Sequence, residues 1–365
     1  MLYSLPVSSV SFGQIGYNIL RELYERKMPI GFLPIGELDF GPFGPTKEFM
    51  NWVQNSVDER YSFIGDGLPA FKLWHLSGSE SVLNKRQTLL TFQETDLLTE
   101  PEKKISALQE KVLLANHYTV SVFNKSGVGN ADFIPLGLDK DILNYSLKRK
   151  AADYVHWVLI GKLEKRKNTL DLITAWCMKY GGNNNHRLSL CVYNPFFNEE
   201  TNINLLQKAF VKNGRIEKPA NVNILPRLPS NLQMAELYHS ADIDLGGMSS
   251  GEGLNLPSLT MTALGKWSIV LDAHAHKTWA DKNNAILVAP NGKTPAADGV
   301  FFQQGDIKKS FNQGNFYTFD ADHLLEALEK AEKKAKKEND AGKKLCEKFN
   351  YKNCVDKIIE ACNAS

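Results

Sequence analysis

The chain has 365 residues, 43% hydrophobic and 23% charged, with 43 Lys and Arg against 41 Asp and Glu and a formal net charge of +2. That length predicts about two domains, each large enough to bury a core. The composition excludes disordered, collagen-like and disulfide-framework proteins, and the near balance of charge argues against a whole-molecule polyanion binder, leaving only a local basic patch.

Five cysteines, at positions 177, 191, 346, 354 and 362, form no C-x-x-C pair. Free thiols in a reducing compartment are expected, rather than a zinc knuckle or redox dithiol. The first twenty residues lack a basic start and a long apolar run, so no signal peptide is expected, and no stretch of about 18 apolar residues predicts a membrane span. A cytoplasmic protein is expected, or one peripheral at a membrane surface.

Short apolar runs alternate with amphipathic stretches, which predicts βα units and parallel sheets. Residues 2–7 read as a first strand, SSVSFGQIG as a loop, and YNILRELYERK as a helix with Ile19, Leu20, Leu23 and Tyr24 on one face. GFLPIG reads as a second strand. Residues 37–60, rich in Gly, Pro and aromatics, show no period. FKLWHL and TLLTF read as strands, 101–116 as a helix with Pro101 near its start, and YTVSVF and ADFIPLGL as the last strands of this half. The polar LKRKAADY (147–154) marks the domain boundary.

The alternation then restarts. HWVLIG is a strand, KLEKRKN a loop, and TLDLITAWCMKYG a helix. RLSLCVY, VNILP, DIDLGGM and SIVLDAH read as strands, with NINLLQKAFVKNG and NLQMAELYHSA as helices between them. GEGLNLPSLTMTALG runs from a loop into a helix. Residues 321–347 read as a solvated helix with a stripe through Leu324, Leu325, Leu328 and Ala331, and NYKNCVDKIIEACN as a last helix. The expected fold class is α/β, two Rossmann-like halves facing each other across a cleft.

Open α/β sheets bind ligands at loops leading from strand ends into helix N-termini. Three loops qualify. In SFGQIG, Gly13 and Gly16 would let backbone amides approach a phosphate, or would simply make a tight strand–helix turn. In GKLEKRKN, Lys162, Lys165, Arg166 and Lys167 concentrate positive charge suited to a diphosphate, or form a solvated basic turn. In MSSGEGLNLPS, Gly251 and Gly253 flank Glu252, which places a carboxylate against ligand hydroxyls beside free amides.

These residues resemble the GT-B glycosyltransferases of the retaining family 4 type. The family's G-R-L-x-x-x-K-G followed by L-I-x-A stands here as Gly161, Lys162, Leu163, Lys167, Asn168, Leu172, Ile173 and Ala175. Its E-G-F-G-L-P-x-L-E-A-M-A-x-G-x-P-V stands as EGLNLPSLTMTALGKWSIV from Glu252. IPLGLD (134–139) is similar to its I-P-N-G-V-D, and 349–358 to its C-terminal helix. The resemblance spans 130–365, and 1–130 only in fold and the Gly-x-x-Gly loop.

The resemblance implies an N-terminal acceptor-side domain, 1–150 with a crossover helix at about 349–365, and a nucleotide-sugar-binding domain, 151–348. It implies sugar transfer from a nucleotide-sugar donor with retention of anomeric configuration, without a metal or other cofactor. Lys162 and Lys167 would neutralise the diphosphate, and Glu252 would hold donor-sugar hydroxyls. Gly161 and the backbone around Gly251, Gly253, Leu254 and Asn255 would line the donor, Arg227 and Leu228 would lie near the base, and Gly13 and Gly16 would face the diphosphate. The departures are Lys162 for Arg, Asn168 for Gly, Trp267 for Pro, and Thr260 for the second Glu, which would reroute ribose contacts through a hydroxyl. At the family's T-x-H motif, TFQETD carries Gln93 at the His position with Glu94 beside it; His75 is the other acceptor-side candidate. The segment 32–62 is placed on the acceptor side by position. A glycan or lipid-linked precursor is the expected acceptor, with a modified DNA base and a degenerate, non-transferring member as alternatives.

Overall fold

The computed structural model describes residues 1–147, 153–211, 217–298, 301–302 and 312–364. The chain forms two compact units, Met1–Lys140 with Pro229–Leu232 and Cys346–Ser365, and Asp141–Leu228 with Gln233–Leu345. The boundary expected at 150/151 lies outside the described residues.

The first unit runs β1 (Leu2–Leu5), α1 (Ser11–Glu25), β2 (Gly31–Pro34), α2 (Lys47–Asp58), β3 (Pro69–Leu73), β4 (Arg86–Thr91), α3 (Glu100–Ala107), β5 (Lys111–Leu114), α4 (His117–Lys125) and β6 (Ala131–Phe133). After α5 (Lys140–Leu143) the second unit continues with β7 (Val155–Gly161), α6 (Thr169–Tyr180), β8 (His186–Val192), α7 (Glu199–Val211), β9 (Val222–Ile224), α8 (Asn231–Ser240), β10 (Ile243–Gly247), α9 (Leu256–Ala263), β11 (Trp267–Leu271), β12 (Ile286–Val288), β13 (Pro290–Pro295), β14 (Asn315–Phe319), α10 (Ala321–Glu332) and α11 (Asp340–Lys343); α12 (Leu345–Lys348) leads back into the first unit. The last helix, α13 (Tyr351–Asn363), packs on α1, β3 and β4 of the first unit.

Each unit is built on a six-stranded parallel sheet, ordered β2-β1-β3-β4-β5-β6 and β12-β11-β10-β7-β8-β9. Parallel strands are covered on both faces, so they carry near-continuous apolar runs. Every residue of β11 (WSIVL) and of β10 is buried. The second core gathers Trp157, Trp176, Leu190, Ile243, Ile269 and Leu328. The first gathers Leu89, Val112, Leu114 and Phe123 on one side of its sheet. The order reverses between β1 and β3 in the first sheet and between β7 and β10 in the second, and such switch points are where α/β sheets bind ligands. All five cysteines are free thiols. Among the described residues, no helix is long and apolar enough to cross a membrane.

The structure corrects several sequence expectations. The stretch 101–116 divides into α3 and β5, because KVLL hydrogen-bonds between β4 and β6. A short apolar run looks alike in a buried strand and a helix face. YTVSVF is helical: Asn116 caps α4 by accepting from the Thr119 amide, and Thr119, Val122 and Phe123 share its buried face despite their β-forming side chains. The aperiodic 37–60 contains α2, capped by Thr46. Its aromatics pack on α1, with Phe43 stacked on Tyr17 at 3.9 Å and Phe49 edge-on to Tyr24 at 5.3 Å. The helix expected over 321–347 ends at Glu332, and Lys336 takes a left-handed turn at φ +64°. The antiparallel pair β13–β14 was not anticipated.

The largest revision concerns SFGQIG. It is not a loop; α1 begins at Ser11, and Gly13 and Gly16 lie buried within it. A Cβ on Gly13 would stand 2.1 Å from the Ser8 amide nitrogen, and one on Gly16 2.0 Å from the Pro6 carbonyl oxygen. These glycines let the helix pack directly against the backbone leaving β1. Gly16→Ala is therefore expected to lower stability by about 2 kcal/mol or more, whereas Gly67→Ala, where a methyl meets nothing within 4 Å, should stay within about 0.5 kcal/mol. Denaturant midpoints measure both, and an unshifted Gly16→Ala would overturn the packing account.

Candidate functional site

The second sheet presents its site candidates at the switch point. β7 and β10 are neighbours, pairing Ile243 with Trp157 and Asp244 with Val158. The basic turn follows β7 and the Glu252 turn follows β10, so both leave adjacent strands at their carboxyl ends. The basic turn is a single 3-10 turn, Lys165–Lys167, ended by Asn168 at φ +54°. Asn tolerates this left-handed conformation better than other non-glycine residues. Asn168 also opens α6, and its side-chain amide donates to the Met248 carbonyl at 2.7 Å and the Ser250 hydroxyl at 2.8 Å. The Ser250 amide donates to the Arg166 carbonyl at 2.7 Å. The two turns are thus stitched together through their backbones.

Their charges form one chain. Lys162 Nζ lies 3.8 Å from Glu164 Oε1, Arg166 Nη2 2.9 Å from Glu164 Oε2, and Arg166 Nη1 3.3 Å from Glu252 Oε2. Lys167 Nζ pairs with Glu252 Oε1. Arg166 also donates to the Gly251 carbonyl at 2.8 Å. Glu252 is only 6% exposed. Burial alone would raise its pKa, but the Lys167 and Arg166 cations outweigh burial and hold the carboxyl well below the usual carboxylate range. Burial pulls Lys167 downward, against the attraction of Glu252. Lys162 is the more accessible cation and also lies over the exposed Phe196 ring at 5.1 Å.

The structure therefore joins Lys162, Lys167, Glu252 and Gly251 into one network at the strand tips. Gly161 ends β7 just before the basic turn. Gly253, Leu254 and Asn255 are buried in the Glu252 turn, and Asn255 opens α9 at φ +66°. Thr260 lies one turn into α9, where its hydroxyl donates to the Leu256 carbonyl at 2.7 Å. Arg227 is exposed after β9, and Leu228 packs partly buried against the cluster around Tyr238.

In the first unit, Gln93 turns inward. Its side-chain amide donates to Thr95 Oγ1 and the Leu97 carbonyl, each at 2.8 Å, shaping its own loop. Glu94 is partly exposed beside it. His75 is exposed, 4.4 Å from the Phe12 ring, in an aromatic group with Trp74 and Phe92 at the carboxyl ends of β1, β3 and β4.

The sequence reading counts Arg166 among the cations suited to a diphosphate, whereas its buried guanidinium bridges Glu164 and Glu252; it gives no role to His274 and His276. These histidines are 3% and 0% exposed and sit 4.6 Å apart. The alternation of H-A-H was the only local signal, and it carries no ligand spacing. The paired aspartates of DID serve the backbone: Asp242 accepts from the His156 amide at 2.9 Å and Asp244 from the Gly246 amide at 2.8 Å. Burial raises Asp244 to about 6.

Burial lowers His274 to about 3 and His276 to about 4, from an ordinary 6.5. Both are neutral when folded. Between about pH 6.5 and 4 the unfolded chain takes up protons that the folded chain refuses, so stability falls as pH falls through that window. His276→Gln is expected to flatten this slope by up to about 1.4 kcal/mol per pH unit. Denaturant midpoints at pH 4.5 and 7.0 measure it; an unchanged slope would refute the assignment.

No family model and no curated protein matches the chain. Solved structures do. WaaG, a glycosyltransferase involved in lipopolysaccharide biosynthesis, is similar over 100% of both chains at 12% identity and a TM-score of 0.63. A glycosyltransferase from Rickettsia africae is similar over 100% of this chain and 97% of its own at 11% identity and a TM-score of 0.65. HepE from Anabaena, solved in complex with UDP and glucose, is similar over 100% of both chains at 12% identity and a TM-score of 0.61. At such identities the likeness is one of architecture: the chain has the GT-B fold of two Rossmann-like domains.

Proposed function

We propose that this protein is a glycosyltransferase that uses a nucleotide-sugar donor. The observation that carries the reading is the convergence of the Lys162–Lys167 turn and the Glu252 turn on one buried charge network at the β7/β10 switch point. The fold neighbours that are glycosyltransferases, one of them holding UDP and glucose, support it.

Lys162, Lys167 and the amides opening α6 and α9 give a diphosphate several partners, and their charge can meet the charge that develops as the nucleoside diphosphate departs. Lys162 supplies the accessible point charge. Lys167 exchanges part of its pairing with Glu252 for phosphate, which frees a carboxylate oxygen for sugar hydroxyls. Buried Arg166 stays with Glu164 and Glu252 and fixes the carboxylate. Cations and helix-end amides do the work that a metal would do elsewhere, so we propose a metal-independent reaction. Retention at the anomeric carbon follows from the resemblance to family 4, with front-face displacement as the mechanism in which Glu252 binds sugar rather than attacks. The first unit is assigned to the acceptor, a glycan or lipid-linked precursor, and the site of action to the cytoplasm or the membrane surface.

A second reading is a nucleotide-sugar or glycan binder without transfer. It is favoured by Thr260, whose hydroxyl is committed to the Leu256 carbonyl where the family pattern has a carboxylate.

Release of nucleoside diphosphate from UDP-, GDP-, ADP- and dTDP-sugars, with glycan, lipid-linked and DNA acceptors, separates the readings. Lys167→Ala and Glu252→Ala should each lower turnover about 10²-fold or more, and EDTA should leave turnover unchanged. Binding without release under every acceptor would establish the second reading, and proton NMR of the product would test retention.

A further inference from the structure

One short segment holds the Glu252 turn from behind. The 3-10 turn His274–Thr278 and the adjoining Trp279 follow β11. His274 Nε2 donates to the Ser249 carbonyl at 2.8 Å, and Trp279 Nε1 donates to the Leu254 carbonyl at 3.0 Å. Asn255 Nδ2 donates to His276 Nε2 at 3.0 Å. Three side chains of six consecutive residues thus grip Ser249, Leu254 and Asn255 on either side of Glu252.

The tautomer of His276 follows from its partners. His276 Nδ1 lies 3.0 Å from the Leu271 carbonyl oxygen, which only accepts, so Nδ1 carries the proton. Nε2 then offers a lone pair, which receives one hydrogen of the Asn255 amide. The other hydrogen goes to the Gly246 carbonyl at 2.8 Å. Asn255 stands at φ +66° and makes no side-chain cap on α9. Its side chain therefore does nothing for the start of the helix; it ties the left-handed residue to β10 on one side and to the segment after β11 on the other. Glycine, which stands at this position in the family pattern, could adopt the same backbone but could not make this tie.

We propose that His276 is a positioning residue for the ligand of the Glu252 turn: through Asn255 it fixes the left-handed turn and the backbone amides of Gly253–Leu256, so that they are already aimed when a nucleoside diphosphate or its sugar arrives. Amides fixed in advance bind and stabilise developing charge without reorganising. The identity of the ligand rests on the glycosyltransferase reading; the tie itself does not.

The test compares His276→Ala, His276→Gln, Asn255→Gly and the double variant Asn255→Gly/His276→Ala. Gln keeps an acceptor at the Nε2 position, and Asn255→Gly removes the tie at a left-handed residue without backbone strain, so it reports even where His276→Ala fails to fold. Affinity for UDP, GDP, ADP and dTDP is measured by calorimetry, and amide exchange at Gly253–Leu256 by mass spectrometry. His276→Ala and Asn255→Gly should each weaken the tightest diphosphate about tenfold, the double variant should be no worse than either, and His276→Gln should stay within about threefold of wild type. Wild-type affinity in Asn255→Gly, additive losses in the double variant, or a loss in His276→Gln as large as in His276→Ala would overturn the proposal. Should wild type bind none of the four, the transferase reading fails on its own. The exchange arm still decides the tie: faster exchange in Asn255→Gly supports it, and unchanged exchange overturns it.

Discussion

The second unit is organised around one buried carboxylate. Glu252 meets Lys167 and Arg166 at the tips of two adjacent parallel strands. An ionised carboxylate out of water costs several kcal/mol, and the cost is offset only when partners are close and its lone pairs are occupied. Every feature of the two turns serves that condition. The 3-10 turn at Lys165–Lys167 brings two consecutive cations to bear. Arg166, held by Glu164 and the Gly251 carbonyl, cannot leave. Such a network is a weak source of net stability, but it fixes geometry, because losing any one partner strands a buried charge.

Two asparagines finish the arrangement. Asn168 and Asn255 each take a left-handed conformation at the residue that opens a helix, α6 and α9. Glycine would satisfy the backbone at both places and leave the turn slack. Asparagine accepts a small conformational cost and returns two hydrogen bonds from its amide, to Met248 and Ser250 in one case and to Gly246 and His276 in the other. Both sets of bonds end on β10, its continuation or the segment after β11. Asparagine at these two positions therefore acts as a cross-link between neighbouring segments.

The first unit solves its switch point differently. There the glycines lie inside a helix, and their missing side chains let α1 ride on the backbone of Pro6 and Ser8. The consequence at the strand ends is an aromatic group, Phe12, Trp74, His75 and Phe92, in place of charge. The two sheets are both parallel and six-stranded but differ in strand order, and they carry different chemistry at their switch points.

The sequence alone determined the α/β class, the two sheets and the two turns that carry Lys167 and Glu252, because parallel strands must be apolar throughout and helix-opening turns must carry Gly, Asn or charge. It was ambiguous wherever a short apolar run fits either element, as at Lys111–Leu114 and YTVSVF, where sheet pairing and an asparagine cap made the choice. It could not tell a phosphate-binding glycine from a packing glycine at Gly13 and Gly16, since both roles ask only for a missing Cβ. Nor could it show that Arg166 ties the two turns together, or place His274 and His276, because Arg166 meets the Gly251 carbonyl 85 residues away, and His274 and His276 meet Ser249 and Asn255 25 and 21 residues away. Distances of that kind are set when strands pair side by side, and only the folded chain brings those atoms within reach of one another.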